Sequence, residues 1–274
     1  MCKASCRHSN ASPGSAAVAL DVAVLLSVGR HPVSGRARRA EADARALELA
    51  LNIPDARIHA LHAGDPQEPA LADYLGMGLE TLTVLAVPFD ADPVPALIDH
   101  LKAIGCGLVL AGQRAEAGED SGLVPYLVPE GLGAAIVPGA VRLALKNGRA
   151  EILQGLPRGR RRALSSSLPL VATVSALAPA PRMSAFGLAR RGRLDIRAAG
   201  APRDEERLSW QIRPARRRPK RLKIAKAASA ADRVRAVTEM AAGKGRVLTG
   251  LSPEAAADAV FAYLVEEGIV QTKG

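Results

Sequence analysis

The sequence predicts an α/β fold built on a parallel sheet, and three observations carry that expectation. Apolar runs closed by small residues alternate with helix-period segments as far as residue 111, the pattern of strands joined by right-handed crossover helices. Aromatic residues make up 3% of the 274 residues although 48% are apolar. The core is therefore made of Ala, Leu and Val, which suits helices packed closely on a sheet. A hairpin signal then interrupts the alternation, so an antiparallel addition follows the parallel part. The full expectation is a Rossmann-like parallel sheet with helices on both faces, an antiparallel addition and an extended C-terminal arm.

Val22 to Val28 is a continuous apolar run, read as a strand buried on both faces. Lys3 and Arg7 precede the longer run from Ala16 as in a signal peptide, but Asp21 interrupts it and no small-x-small cleavage site follows. Glu41 to Leu51 places Ala46, Leu47, Ala50 and Leu51 on one side of a helix. Ile58 to Ala63 is a second strand, closed by Gly64-Asp65-Pro66. Gln67 to Met77 reads as a helix stopped by Gly78. Leu82 to Val87 is a third strand. Asp92 caps and Pro93 opens a helix through Ile104, because Pro is preset for the first turn and lacks only an N–H that would be orphaned there. Leu108 to Ala111 is a fourth strand.

Ala140 to Leu145 and Ala150 to Leu153 flank Asn147-Gly148, a two-residue hairpin signal. Ser165 to Ser167 reads as a turn, and Leu168 to Ala176 as another strand. Pattern is lost after Pro179 until Ala227. Ala230 to Ala241 reads as a helix, and Ser252-Pro253-Glu254 starts a last one that Gly268 ends. The expected organisation is an N-terminal extension over 1–19, an α/β nucleotide-binding-like domain over 20–185, a basic extended arm over 186–226 and a C-terminal helical segment over 227–274.

The net charge of +10 is concentrated. Residues 190–223 hold 13 Lys/Arg against 4 Asp/Glu, a net +9, and the rest of the chain holds 24 basic and 23 acidic residues, a net +1. A nucleic-acid role for this arm is the alternative reading, but it needs stacking aromatics, and Trp210 is the one aromatic in the segment. Cys2, Cys6 and Cys106 are badly spaced for a disulfide framework, which fits a reducing cytoplasm. Cys2, Cys6 and His8 fall one short of the four ligands of a closed zinc site. No segment reaches the roughly 18 apolar residues of a membrane span.

Ligands of an open parallel sheet bind beyond the carboxyl ends of its strands. Three such ends are small here: Ser27-Val28-Gly29, Ala63-Gly64-Asp65, and Gly112 with the loop to Gly122. Asp120 or Ser121 is a candidate N-cap for a helix over Leu123 to Val128. The free N–H groups of such a helix start would cradle a phosphate without a lysine. A solvated loop that binds nothing fits the same residues. Glu119 and Asp120 oppose an anion if their carboxylates face inward. No P-loop, H-E-x-x-H or G-x-S-x-G is present, and no nucleophile is paired with a base, so a non-catalytic carrier or partner subunit is expected rather than an enzyme.

From Val22 to Ile269 the order of features resembles the β subunit of electron-transfer flavoproteins, including the FixA-like members. VAVLLSVGRHP (Val22 to Pro32) is similar to the family's first strand and V-K-x-V-P turn. AEADARALELAL (Ala40 to Leu51) keeps Asp43 of N-P-[FY]-D-E-x-A-[LV]-E-x-A. LHAGDPQ and LGMGLE resemble V-x-x-G-P and L-A-M-G-A-D. LVLAGQRAEAGEDSGLVPYL (Leu108 to Leu127) resembles the family's phosphate loop, and LPLVATVSALAPAPRMSAF (Leu168 to Phe186) its L-P-x-V-V-T strand, Pro-Arg pair and docking loop. SPEAAADAVFAYLVEEGI resembles the last helix.

The resemblance implies a heterodimer with an α subunit that supplies most contacts to FAD, the β subunit closing over the flavin from one side. It implies a flavin dehydrogenase as electron donor and a membrane quinone reductase as acceptor, with a protein that is not itself membrane-embedded. It implies an AMP in the crevice and assigns Ser27, Gly29, Asp43, Ala63, Gly64, Gly112, Glu119, Asp120, Ser121, Gly122 and Leu123 to that site. Pro181, Arg182 and Phe186 become the partner-docking residues. The family's Q-x-G in the phosphate loop falls on Gly122-Leu123-Val124, which lacks the amide and the second glycine. AMP is therefore expected to bind weakly or not at all, and a non-bifurcating form is expected.

Overall fold

The computed structural model describes residues 20–118, 121–211, 213, 229–231, 234, 247–266, 269 and 270. The chain forms two compact units, one ending at Gln211 and one starting at Ile212.

In the first unit the strands run, in chain order, β1 (Leu20–Leu25), β2 (Val28–Arg30), β3 (Ala37–Arg39), β4 (Ala56–Gly64), β5 (Thr81–Ala86), β6 (Leu108–Gly112), β7 (Ala135–Lys146), β8 (Arg149–Gly155), β9 (Arg161–Ser167), β10 (Leu170–Val174) and β11 (Arg193–Ala198). The helices are α1 (Glu41–Leu51), α2 (Leu71–Leu75), α3 (Pro93–Ile104), α4 (Val124–Leu132), α5 (Phe186–Arg191) and α6 (Glu205–Ser209). Nine strands form one sheet in the order β11-β5-β4-β1-β6-β10-β7-β8-β9, with β2 and β3 as a separate antiparallel pair. From β11 to β7 every neighbour is parallel, and β8 and β9 extend the edge antiparallel.

The continuous apolar runs are explained by burial on both faces. Val22, Val24, Leu108, Leu110, Leu170 and Ala172 pack with Leu47 and Ala50 of α1 and Tyr74 of α2. Ala23, Leu25, Val109, Ala111 and Val171 pack with Leu97 and Leu101 of α3 and Val128 of α4. Asp92 caps α3 by accepting from Val94 N at 2.9 Å, Pro93 follows it, and Gly105 closes the helix at φ +71. In the second unit, α7 (Pro253–Glu266) starts as expected, with Ser252 Oγ accepting from Ala255 N at 3.2 Å.

Several expectations need correction. The first apolar run breaks after Leu25, because Ser27 turns to meet Asp43 and the chain then enters β2. The helix expected over Gln67 to Met77 is one short turn, Leu71–Leu75. Ser165 to Ser167 is strand rather than turn, paired with Arg149 to Glu151. The expectation of an extended arm from residue 186 fails at its start: α5 docks beside α2, and β11 completes the sheet edge against β5, from Arg193↔Thr81 to Ala198↔Ala86. Its arginines hid an alternation in which Leu194 packs against the core. The 1–19 extension, most of the Ala230–Ala241 helix and the end of the last helix at Gly268 lie outside the described residues.

The segment after β10 is tied to α1 by Arg182, whose Nε and Nη2 donate to the two Glu48 carboxylate oxygens at 2.8 and 3.0 Å, with Arg182 N donating at 3.0 Å. These bonds hold the Glu48 carboxyl down at about 2, against an ordinary 4.5. A depressed carboxylate contributes stability that is present above its unfolded value and is lost as pH falls toward its folded one. The Glu48→Gln variant should therefore melt below the parent at pH 7, and the gap should close between about pH 4.5 and about 2. Thermal melts across that window check it, and a gap independent of pH would refute it.

Candidate functional site

The carboxyl ends of β1, β4 and β6 open into a crevice of about 860 Å³. Its floor is organised by one side chain. Asp43, in the first turn of α1, is buried, and its Oδ2 accepts from Ser27 N at 2.7 Å and from Ser27 Oγ. Its Oδ1 accepts from Gly112 N at 2.8 Å. One carboxyl thus joins the ends of β1 and β6 to the start of α1. Gly112 is required here: a Cβ would collide with Asp43 Oδ1 and stand 2.9 Å from Ala42 Cβ. Burial raises the Asp43 pKa, against the lowering effect of the Ser27 and Gly112 hydrogen bonds.

Two more groups brace this floor. Tyr74 is fully buried; its hydroxyl donates to Ser27 O at 2.7 Å and accepts from Ala40 N at 2.9 Å. Burial pushes its pKa well above the ordinary phenol value. Glu116, in the loop after β6, accepts from Glu41 N at 2.7 Å and pairs with Arg38 at 2.8 Å. It satisfies an orphan donor at the α1 N-terminus, where a negative charge is favoured. His62 lines the crevice with Nδ1 against Leu26 O at 2.8 Å, and burial lowers its pKa, favouring the neutral ring.

The structure brings together Ser27, Asp43, Ala63, Gly64, Gly112, Ser121, Gly122 and Leu123 around the crevice. Gly29 lies beside it in β2, where a Cβ would run into Glu116 Oε2. Glu119 and Asp120 lie outside the described residues. Neither Asp120 nor Ser121 is the N-cap, because α4 begins at Val124 after Leu123, with no side-chain cap. Ser121 Oγ instead accepts from Leu123 N, at 3.4 Å, and Gly122 turns the chain at φ +70. The helix start is also poor in free donors. Pro125 has no N–H, and Tyr126 N and Leu127 N donate to Leu123 O at 2.8 and 3.0 Å.

The mouth of the crevice was not visible in the sequence. Asp92 N donates to Pro202 O and Asp204 N to Asp90 O, both at 2.9 Å, and Arg203 pairs with Asp90 at 3.1 Å. These bonds carry α6 over the opening, with Arg207 at 4.1 Å over the Phe89 ring and Trp210 on the rim. Phe89 is 82% and Trp210 52% exposed.

The crevice has the volume for a nucleotide, but its side chains do not suit a phosphate. Asp65, Glu68, Asp92, Glu205 and Glu206 line it, with Arg203 and Arg207 as the lining arginines. A carboxylate about 4 Å from a phosphate costs about 4 kcal/mol per charge pair at an effective dielectric near 20. Of the residues expected to dock a partner, Arg182 is paired with Glu48 and Phe186 is 77% exposed; Met183, next to Arg182 in the chain, is 85% exposed. Among the described residues no cluster of His, Cys, Asp and Glu can hold a metal ion, and no helix is long and apolar enough to cross a membrane.

No family model matches the chain. A curated protein of Chromohalobacter salexigens, "Electron transfer flavoprotein subunit beta", is 48% identical to it over 258 residues, spanning 92% of this chain and 97% of that protein.

The Asp43 contacts make a sharp prediction. An Asn amide presents one acceptor where two oxygens now receive three donors, so Asp43→Asn leaves a buried donor facing another. That should destabilise the first unit by about 1–3 kcal/mol. Urea titration measures it, and an unchanged midpoint would show that these bonds do not hold the floor.

Proposed function

The chain belongs to the β-subunit family of electron-transfer flavoproteins, and from that membership we propose that it is the β subunit of a heterodimer that takes electrons from flavin dehydrogenases and passes them toward the respiratory chain. The observation that carries the proposal is the near full-length similarity, over 92% of this chain and 97% of the curated protein. The chain acts as an electron carrier and supplies no catalytic constellation of its own. Its compartment is the cytoplasm and its acceptor a membrane quinone reductase.

FAD, bound mainly by the α subunit, supplies the redox chemistry. This chain has no G-x-G-x-x-G, and its own part is to cover the flavin from one side. Its crevice holds AMP weakly or not at all, because the amides that would cradle a phosphate are occupied by the chain's own carboxyls. Phe186 and Met183 form the apolar anchor for the dehydrogenase, on a segment that Arg182 fixes to α1.

Coexpressed with its α partner, the chain should give a yellow pair with about one FAD per heterodimer, and alone it should carry little or none. Denaturing the purified pair should release FAD without stoichiometric AMP. Tight FAD on the isolated chain would refute the division of labour, and one AMP per heterodimer would refute the account of the crevice. Phe186→Ala should slow electron transfer from the dehydrogenase, since an exposed aromatic anchor is where binding energy concentrates. FAD content and melting temperature should stay as in the parent. A lowered melting temperature with normal transfer kinetics would mean that Phe186 serves the fold instead.

A further inference from the structure

A basic surface lies on strands β7 to β9, none of whose residues lines the crevice. Between residues 140 and 167 the chain has seven Lys/Arg and one acid, Glu151. Arg142 and Lys146 stand on β7, Arg149 on β8 and Arg161 on β9, all exposed. The pairing register sets Arg142↔Leu153↔Ala163 and Lys146↔Arg149↔Ser167 four residues apart along the strands, an even spacing, so these rows share one face. That face is the one opposite Leu143, Ile152 and Leu164, which pack inward. Arg162 is held in place by a fork onto Gln154 Oε1, at 3.0 and 2.7 Å.

The turn from β8 to β9 extends this surface to a tip. Arg158 sits there at φ +59, followed by Gly159 at φ +74, and Leu156 N donates to Arg160 O at 3.0 Å to close the loop. The neighbouring turn, from β7 to β8, meets the same left-handed requirement with Asn147-Gly148. Asn or Gly is the low-strain choice at such a position. In the second turn an arginine is held there instead, so its side chain is presented at a conformational cost. Protection of the β9 edge against aggregation explains charges on β9 itself. It does not explain Arg142 and Lys146, which lie two strands inside that edge.

We propose that the outer face and tip of β7–β9 dock an acidic face of the electron-accepting partner. This rests on the carrier reading given above. The partner must be acidic because the surface is nearly uniform in sign, and long-range attraction between such faces raises association rates. It is the acceptor rather than the donor because of position. β9 and β11 are the two ends of a nine-stranded sheet, about 38 Å apart at about 4.8 Å per strand. The exposed Phe186 begins the helix that leads into β11. A surface at the β9 end lies outside that footprint and leaves the donor anchor free.

The test uses the purified heterodimer carrying Arg158→Glu, Arg160→Glu and Arg161→Glu together, with the matching Arg→Lys triple as control. The electron acceptor is quinone reductase solubilised from the source cells. Reoxidation of the reduced pair by this acceptor should fall by about tenfold or more at low ionic strength and lose its salt dependence. The Lys triple should keep the parent rate, and reduction by the donor, FAD content and heterodimer mass should not change. Slowed reduction by the donor with normal reoxidation would overturn the assignment to the acceptor. Loss of the α subunit would show that α covers this face, and unchanged rates in both half-reactions would show that no redox partner uses it. A parent pair without FAD overturns the carrier reading, and this proposal with it.

Discussion

A buried carboxyl that receives three hydrogen bonds holds the carboxyl end of this sheet together. Asp43 binds Ser27 N, Ser27 Oγ and Gly112 N, so β1, β6 and α1 meet at one residue. The rest of the crevice depends on this meeting. Ser27 turns away from the β1 direction to reach Asp43, and its carbonyl then receives Tyr74 from α2. The same departure starts the β2–β3 pair, whose Arg38 holds Glu116, and Glu116 returns to the start of α1. A buried polar network of this kind stabilises only when every member is satisfied. Here Ser27 N, Ser27 Oγ, Gly112 N, Ala40 N and the Tyr74 hydroxyl each have an acceptor within the chain, whereas Arg38 Nε is buried without one.

The parallel sheet was legible in the sequence because strands buried on both faces are written as unbroken apolar runs, and β4, β5, β6, α1 and α3 fall within a residue or two of expectation. What failed was written in charges. β11 alternates Leu194 and Ile196 with Arg193, Asp195 and Arg197, and the net charge of the region drew attention away from that period-two pattern. β9 reads as polar because it is an edge strand with one face in solvent. The break at Leu25 has no local signal at all, since Ser27 is drawn out of line by Asp43, sixteen residues later.

The candidate site divides in the same way. Strand ends are local features, so Ser27, Ala63, Gly64 and Gly112 were legible. Asp43 entered through its place in a family motif, and its role became clear only when the fold set it beside Gly112. The mouth was illegible because Phe89 and Arg207 are far apart in sequence and meet only through the bridge between Ala91 and Arg203.

The crevice has the position of a nucleotide site but has turned its donors to internal use. A phosphate at such a site is held by N–H groups at strand ends and helix starts. In this chain the Ser27 and Gly112 amides serve Asp43, and the Glu41 amide serves Glu116. At the start of α4, Pro125 removes one donor and Leu123 O takes two others. Resident carboxyls therefore occupy the role of a bound anion. A phosphate entering the crevice would have to break hydrogen bonds that are worth about 1.5–3 kcal/mol each when one partner is charged. It would also face the carboxylates that line the walls. The fold could keep its geometry without a bound nucleotide because Asp43 and Glu116 supply from within the chain the negative groups that its amides require.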